Sequence, residues 1–163
     1  MNLLYLHGLE SKLSDEKRGI LINHAQVIAP DLDYKSNPNI IEFLFETYQN
    51  IDAIIGSSMG GFAGYYLANL LGVPSLLFNP ALPYRNGSEQ IVPSYLSMNH
   101  PDSMRIVLGA QDTIIDAKDN LAFLSKNISD KTDYTIVLKR DLAHQIPISV
   151  FEEQTKAFFE LLK

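Results

Sequence analysis

The sequence predicts an α/β domain: a central, mostly parallel sheet of about six strands with helices packed on both faces as a three-layer unit. Short apolar runs alternate with longer stretches of helical period, the pattern left by strands joined through crossover helices. The length of 163 residues, 46% hydrophobic and 20% charged, suits one soluble domain with its own core. Residues capable of chemistry also fall just after the apolar runs, where such sheets gather their ligands.

Taken in order, the strands read as 2–6, 26–29, 52–56, 75–78, 104–109 and 134–138, each a compact run rich in Leu, Ile, Val or aromatic residues. Helices are expected near 14–24, 38–50, 59–71, 116–127 and 147–162. The second is expected to start with Asn37 capping free amides and Pro38 at its first position. Gly72 and Pro74 close the third. With no linker, repeat or low-complexity segment, 1–163 reads as a single domain.

Charge narrows the function classes. A formal net charge of -6, with cations scattered apart from Lys17-Arg18 and Lys139-Arg140, argues against nucleic acid and against anionic membranes. The apolar start stops at His7-Gly8, too short for a signal peptide or a span, and there is no cysteine. A cytoplasmic protein acting on a small molecule is the expectation. Oligomeric state is not encoded in any heptad pattern.

The chemistry centres on Gly56-Ser57-Ser58-Met59-Gly60. Gly-x-Ser-x-Gly between a buried strand and a small-residue helix fits a sharp turn that lifts the serine out of the sheet edge. Ser58 is the expected nucleophile, and Ser57 is out of register. A hydroxyl needs a base and a group to orient that base. Of four histidines, His24 and His100 read as surface residues, and His7, directly after the first strand, reads as shaping the neighbouring loop. His144, after the last strand, is the expected base. For the acid, Asp112 after the fifth strand ranks ahead of Asp116, which suits a helix N-cap, and Asp141. Backbone N–H groups of Met59 and Leu9 are the expected oxyanion donors. Leu9, Leu82, Tyr84, Ile114 and Ile146 are candidate walls of a substrate pocket. No His-Glu-x-x-His or clustered ligand spacing suggests a metal, and the chemistry needs no cofactor.

With Tyr5-Leu6-His7-Gly8, Gly56-Ser57-Ser58-Met59-Gly60-Gly61 and Asn79-Pro80-Ala81, the sequence resembles the small bacterial esterases of the YqiA type, within the α/β-hydrolase superfamily. The resemblance runs through most of the chain. It implies an esterase or thioesterase with the triad on Ser58, Asp112 and His144, and a sheet with the first strand between the second and third. Relatives tend to place glycines before the catalytic histidine, where this chain has Arg140-Asp141-Leu142-Ala143. The 81–103 connection leaves little material for a lid. The expected function is hydrolysis of a small acyl ester or thioester through an acyl-enzyme. The alternatives are a catalytically inactive binding module on the same fold, and an acyltransferase using the same triad.

Overall fold

The computed structural model describes residues 1–83 and 89–163. The strands are β1 (Asn2–Leu6), β2 (Gln26–Ile28), β3 (Ala53–Ser57), β4 (Ser75–Phe78), β5 (Ser103–Gly109) and β6 (Asp133–Lys139). Between and after them lie α1 (Asp15–Leu21), α2 (Ile40–Thr47), α3 (Met59–Leu71), α4 (Ala117–Asn127) and α5 (Ile148–Leu161). All six strands are parallel, in the order β2-β1-β3-β4-β5-β6. The first strand therefore does lie between the second and third.

The three layers follow from the two-residue period of buried strands. Leu4 and Leu6 of β1 face a core shared with α2, α3 and α4, including Ile41, Phe62 and Leu124. Leu3 and Tyr5 point the other way, toward Leu21 of α1 and Phe151 and Phe158 of α5. Strands β1, β3 and β4 are almost wholly buried, whereas β6 lies at the edge with Ile136 and Leu138 exposed.

Helix ends are where local reading and structure part. Ser14 caps α1 as a side-chain acceptor for the Lys17 amide, but the helix stops at Leu21 and 22–24 form a turn. The second helix begins two residues later than Pro38 at its first position implies. Asn37 accepts from the Asn39 amide within a turn, and Asn39, not Asn37, stands at the N-cap without a side-chain bond. A remote residue supplies the missing partner: Gln90 Oε1 accepts from the Ile40 amide at 3.3 Å, while its Nε2 donates to the carbonyls of Tyr34 and Asn37. Gly72 closes α3 with φ of 72°, as the pattern predicts.

The connection from β4 to β5 contains no helix or strand among its described residues. It is tied down along the α2 and α3 face, by Gln90 and then by Asn99 and His100, whose amides donate to the Asn69 carbonyl. The carboxyl edge of the sheet includes the switch point. There the chain reverses its direction of strand addition, between β1 and β3.

Candidate active site

Parallel register brings the chemistry-bearing strand ends together. Leu6 pairs with Gly56, Ser57 with Phe78, Phe78 with Val107, and Gly109 with Lys139. His7-Gly8, Ser58, Asn79, Asp112 and the loop to His144 consequently follow one edge of the sheet.

Ser58 stands between β3 and α3 with φ 55° and ψ −116°, a conformation that non-glycine residues rarely take. Its backbone is fixed on both sides: the amide donates to the Phe78 carbonyl, and the carbonyl accepts from the amides of Phe62 and Ala81. The flanking glycines permit this by close approach. A methyl group at Gly56 would strike the Gly60 carbonyl, and one at Gly60 would strike the carbonyls of Leu6 and His7. Met59 is the first residue of α3, so its N–H belongs to the first turn, where the helix supplies no acceptor.

His144 Nδ1 lies 2.8 Å from Asp112 Oδ2. A carboxylate only accepts, so the pair places the proton on Nδ1 and leaves Nε2 free as a base. The other Asp112 oxygen accepts from the amides of Ile114 and Ile115 at 2.8 and 2.9 Å, so both oxygens of this buried side chain are used. Of the three acids weighed from sequence, Asp112 is the one that reaches His144. Asp116 caps α4 through the Lys118 amide, and Asp141 is an exposed neighbour of Arg140.

The histidine loop is held by a residue whose role the sequence did not disclose. Asn79, buried with φ 40°, donates from Nδ2 to the carbonyls of Ala143 and His144 and accepts on Oδ1 from the Gly109 amide. Asn-Pro-Ala was visible as a motif, but nothing local indicates a partner so distant in the chain. Gly109 lies against this loop, where a side chain would collide with the Leu142 carbonyl.

His7 is buried and in one tautomer. The Leu32 amide donates to Nε2 at 2.9 Å, so Nδ1 carries the hydrogen and donates to the Gly8 carbonyl at 2.6 Å. Because the Gly8–Leu9 peptide is trans, the Leu9 N–H points away from the His7 ring. The loop turns at Glu10, with φ 50°, and Glu10 pairs with Lys35.

Ser58 and His144 both line a cavity of about 550 Å³, together with Leu9, Ile114 and Ile146. Leu9 is 38% and Ile114 65% exposed, forming the rim, while Ile146 is buried at the wall. Leu82 is 2% exposed within the core shared with α2 and α3, and is not among the cavity-lining residues. Tyr84 lies outside the described residues. Of the remaining histidines, His24 stacks on Phe159 just before β2, at the amino end of the sheet, and His100 sits beside α3 with φ 56°. Among the described residues, no three metal-ligating side chains cluster and no helix is long and apolar enough to cross a membrane.

A sequence profile for the uncharacterised protein family UPF0227 matches residues 2–92, more than half of the chain. The chain belongs to UPF0227, the YqiA-type family. In this UPF0227 member the matched region contains β1 to β4, and with them the Ser58 turn. No curated protein sequence matches it significantly. Solved structures show its fold to be that of the α/β hydrolases. A candidate hydrolase of the alpha/beta superfamily from Xanthomonas campestris pv. campestris is 18% identical, with a TM-score of 0.68 over 99% of this chain and 97% of the other. A carboxylesterase from Bacillus cereus is 16% identical, TM-score 0.67, over 99% and 88%. A fluorophosphonate-binding serine hydrolase, FphF of Staphylococcus aureus, is 18% identical, TM-score 0.60, over 99% and 82%.

Proposed function

We propose that this protein is a serine esterase or thioesterase that cleaves small acyl substrates through an acyl-enzyme on Ser58. The observation that carries the reading is the pairing of a strained Ser58 with His144 in one cavity, the far ring nitrogen of His144 being bonded to the buried Asp112. His144 Nε2 takes the Ser58 proton as Oγ attacks the substrate carbonyl, then returns it to the departing alcohol or thiol. Asp112 holds the imidazolium, and water repeats the cycle to release the acid. Negative charge on the carbonyl oxygen is met by the N–H groups of Met59 and Leu9, the first aided by the α3 dipole. The first-turn position of the Met59 amide, to which the helix supplies no acceptor, and the fixed direction of the Gly8–Leu9 peptide support that assignment.

The decisive measurement is labelling by a fluorophosphonate probe, wild type against Ser58→Ala. Labelling of wild type alone, with turnover of p-nitrophenyl esters or acyl thioesters, is the expected result. A folded wild-type protein that stays unlabelled removes the catalytic reading and leaves a binding module. Faster product formation with added alcohol or amine acceptors, yielding the transferred acyl group, would make it an acyltransferase.

A further inference from the structure

The cavity beside Ser58 has two lysines in its lining. Lys12 and Lys17 face it, with the hydroxyl-bearing Ser11 and Ser57 and the carboxamide of Gln145, and no Asp or Glu is among its lining residues. The chain as a whole carries a charge of -6, so this basic lining runs against the average. Lys12 is exposed at the rim. Lys17 is half-buried, on α1, with its Nζ 5.2 Å from the centre of the Phe151 ring. The ring face attracts the ammonium and positions it without neutralising it. Among the described residues no carboxylate pairs with Lys17, in contrast to Lys35 with Glu10 and Lys139 with Glu153. Burial lowers its pKa from the ordinary lysine value, with no compensating anion. A partly desolvated cation facing a reaction cavity has its charge met most simply by the substrate.

We propose that Lys17 binds an anionic group of the substrate, a carboxylate or phosphate, and so makes the enzyme selective for esters or thioesters that carry such a group. The inference rests on Ser58 being the nucleophile. Lys12 at the rim adds to the same local field, drawing a negative substrate into a site on an otherwise acidic protein.

The test compares the wild-type protein with Lys17→Met, Lys17→Gln and Lys17→Arg on two matched substrate pairs. One pair carries the charge on the acyl side, p-nitrophenyl hemiglutarate against p-nitrophenyl hexanoate. The other carries it on the alcohol side, 4-butyryloxyphenyl phosphate against its 4-methoxyphenyl counterpart. Wild type is expected to prefer the charged member of one pair by about tenfold or more in kcat/KM, the size of a charge-assisted hydrogen bond. Lys17→Met and Lys17→Gln are expected to lose that preference, and Lys17→Arg to keep it. The pair that responds tells which side of the ester carries the anion. No preference in wild type, or a preference unchanged in both neutral variants, overturns the proposal. Fluorophosphonate labelling separates the two readings. Labelled protein without Lys17-dependent selectivity sinks this inference alone, whereas folded, unlabelled wild type sinks the hydrolase reading and this one with it.

Discussion

The side-chain Nδ2 of Asn79 donates to the carbonyl of Ala143 at 2.9 Å, bridging 64 residues of chain. The same side chain accepts from the Gly109 amide, so one buried carboxamide ties the end of β4 to the two loops carrying Asp112 and His144. Its left-handed φ of 40° suits asparagine among non-glycine residues.

Replacing Asn79 separates these roles. Asn79→Gly keeps the backbone relaxed but leaves the buried Gly109 N–H without its partner, at a cost of about 1–3 kcal/mol, and releases the carbonyls of Ala143 and His144. Urea unfolding is expected to show that loss, and ester turnover to fall further than stability alone explains because the histidine loop is released. A variant with wild-type kcat would show that the bridge does not position His144.

Asp112 and Asp116 should respond in opposite ways. In Asp112→Asn the oxygen can keep the amides of Ile114 and Ile115, which turns the NH₂ group toward His144 and forces the proton onto Nε2. A fall in kcat of up to ~10⁴ with little change in folding is expected. Asp116→Ala removes the cap on the Lys118 amide and should cost ~0.5–2 kcal/mol of stability with activity retained. Thermal melts and ester kinetics on both variants check this, and the reverse pattern would move the acid to Asp116.

Two glycines predict opposite signs for the same substitution. Gly60→Ala drives a methyl into the carbonyls of Leu6 and His7 and should destabilise by at least about 1–3 kcal/mol, with loss of Ser58 labelling. Gly19→Ala lies inside α1 with open space around it and should stabilise by roughly 0.5–1 kcal/mol. Calorimetry on the pair tests whether close approach, and not helix propensity, governs Gly60.

His7→Ala should act on both stability and rate. It strands the buried Leu32 N–H and frees the Gly8 carbonyl, for about 1–3 kcal/mol of stability. Loss of a fixed Leu9 N–H should lower kcat by up to ~10²–10³ with a smaller change in KM, as for a missing oxyanion donor. Equal losses in a surface control such as His24→Ala would remove His7 from that role.

Some of these relationships were legible in the chain and others were not. The approximate strand and helix positions follow from the spacing of apolar residues, and the Gly72 stop and the Gly-x-Ser-x-Gly turn from local residue types, so the sequence alone marked them, although distant partners hold them in place. Even there the start of α2 escaped, because Gln90 from a distant segment, not Asn37, meets the Ile40 amide. The choice of Asp112 over Asp116 and Asp141 required the β5 and β6 register that carries it to His144. Leu82 illustrates the limit most simply: an apolar residue just past a strand end can turn toward the cavity or the core, and here packing against α2 and α3 takes it inward. Lys17 entered the cavity only through the face on which α1 packs against α5. Periodicity and local turn chemistry decide which elements form. Only the crossovers of the tertiary structure decide which side chains, tens of residues apart, come to share one cavity.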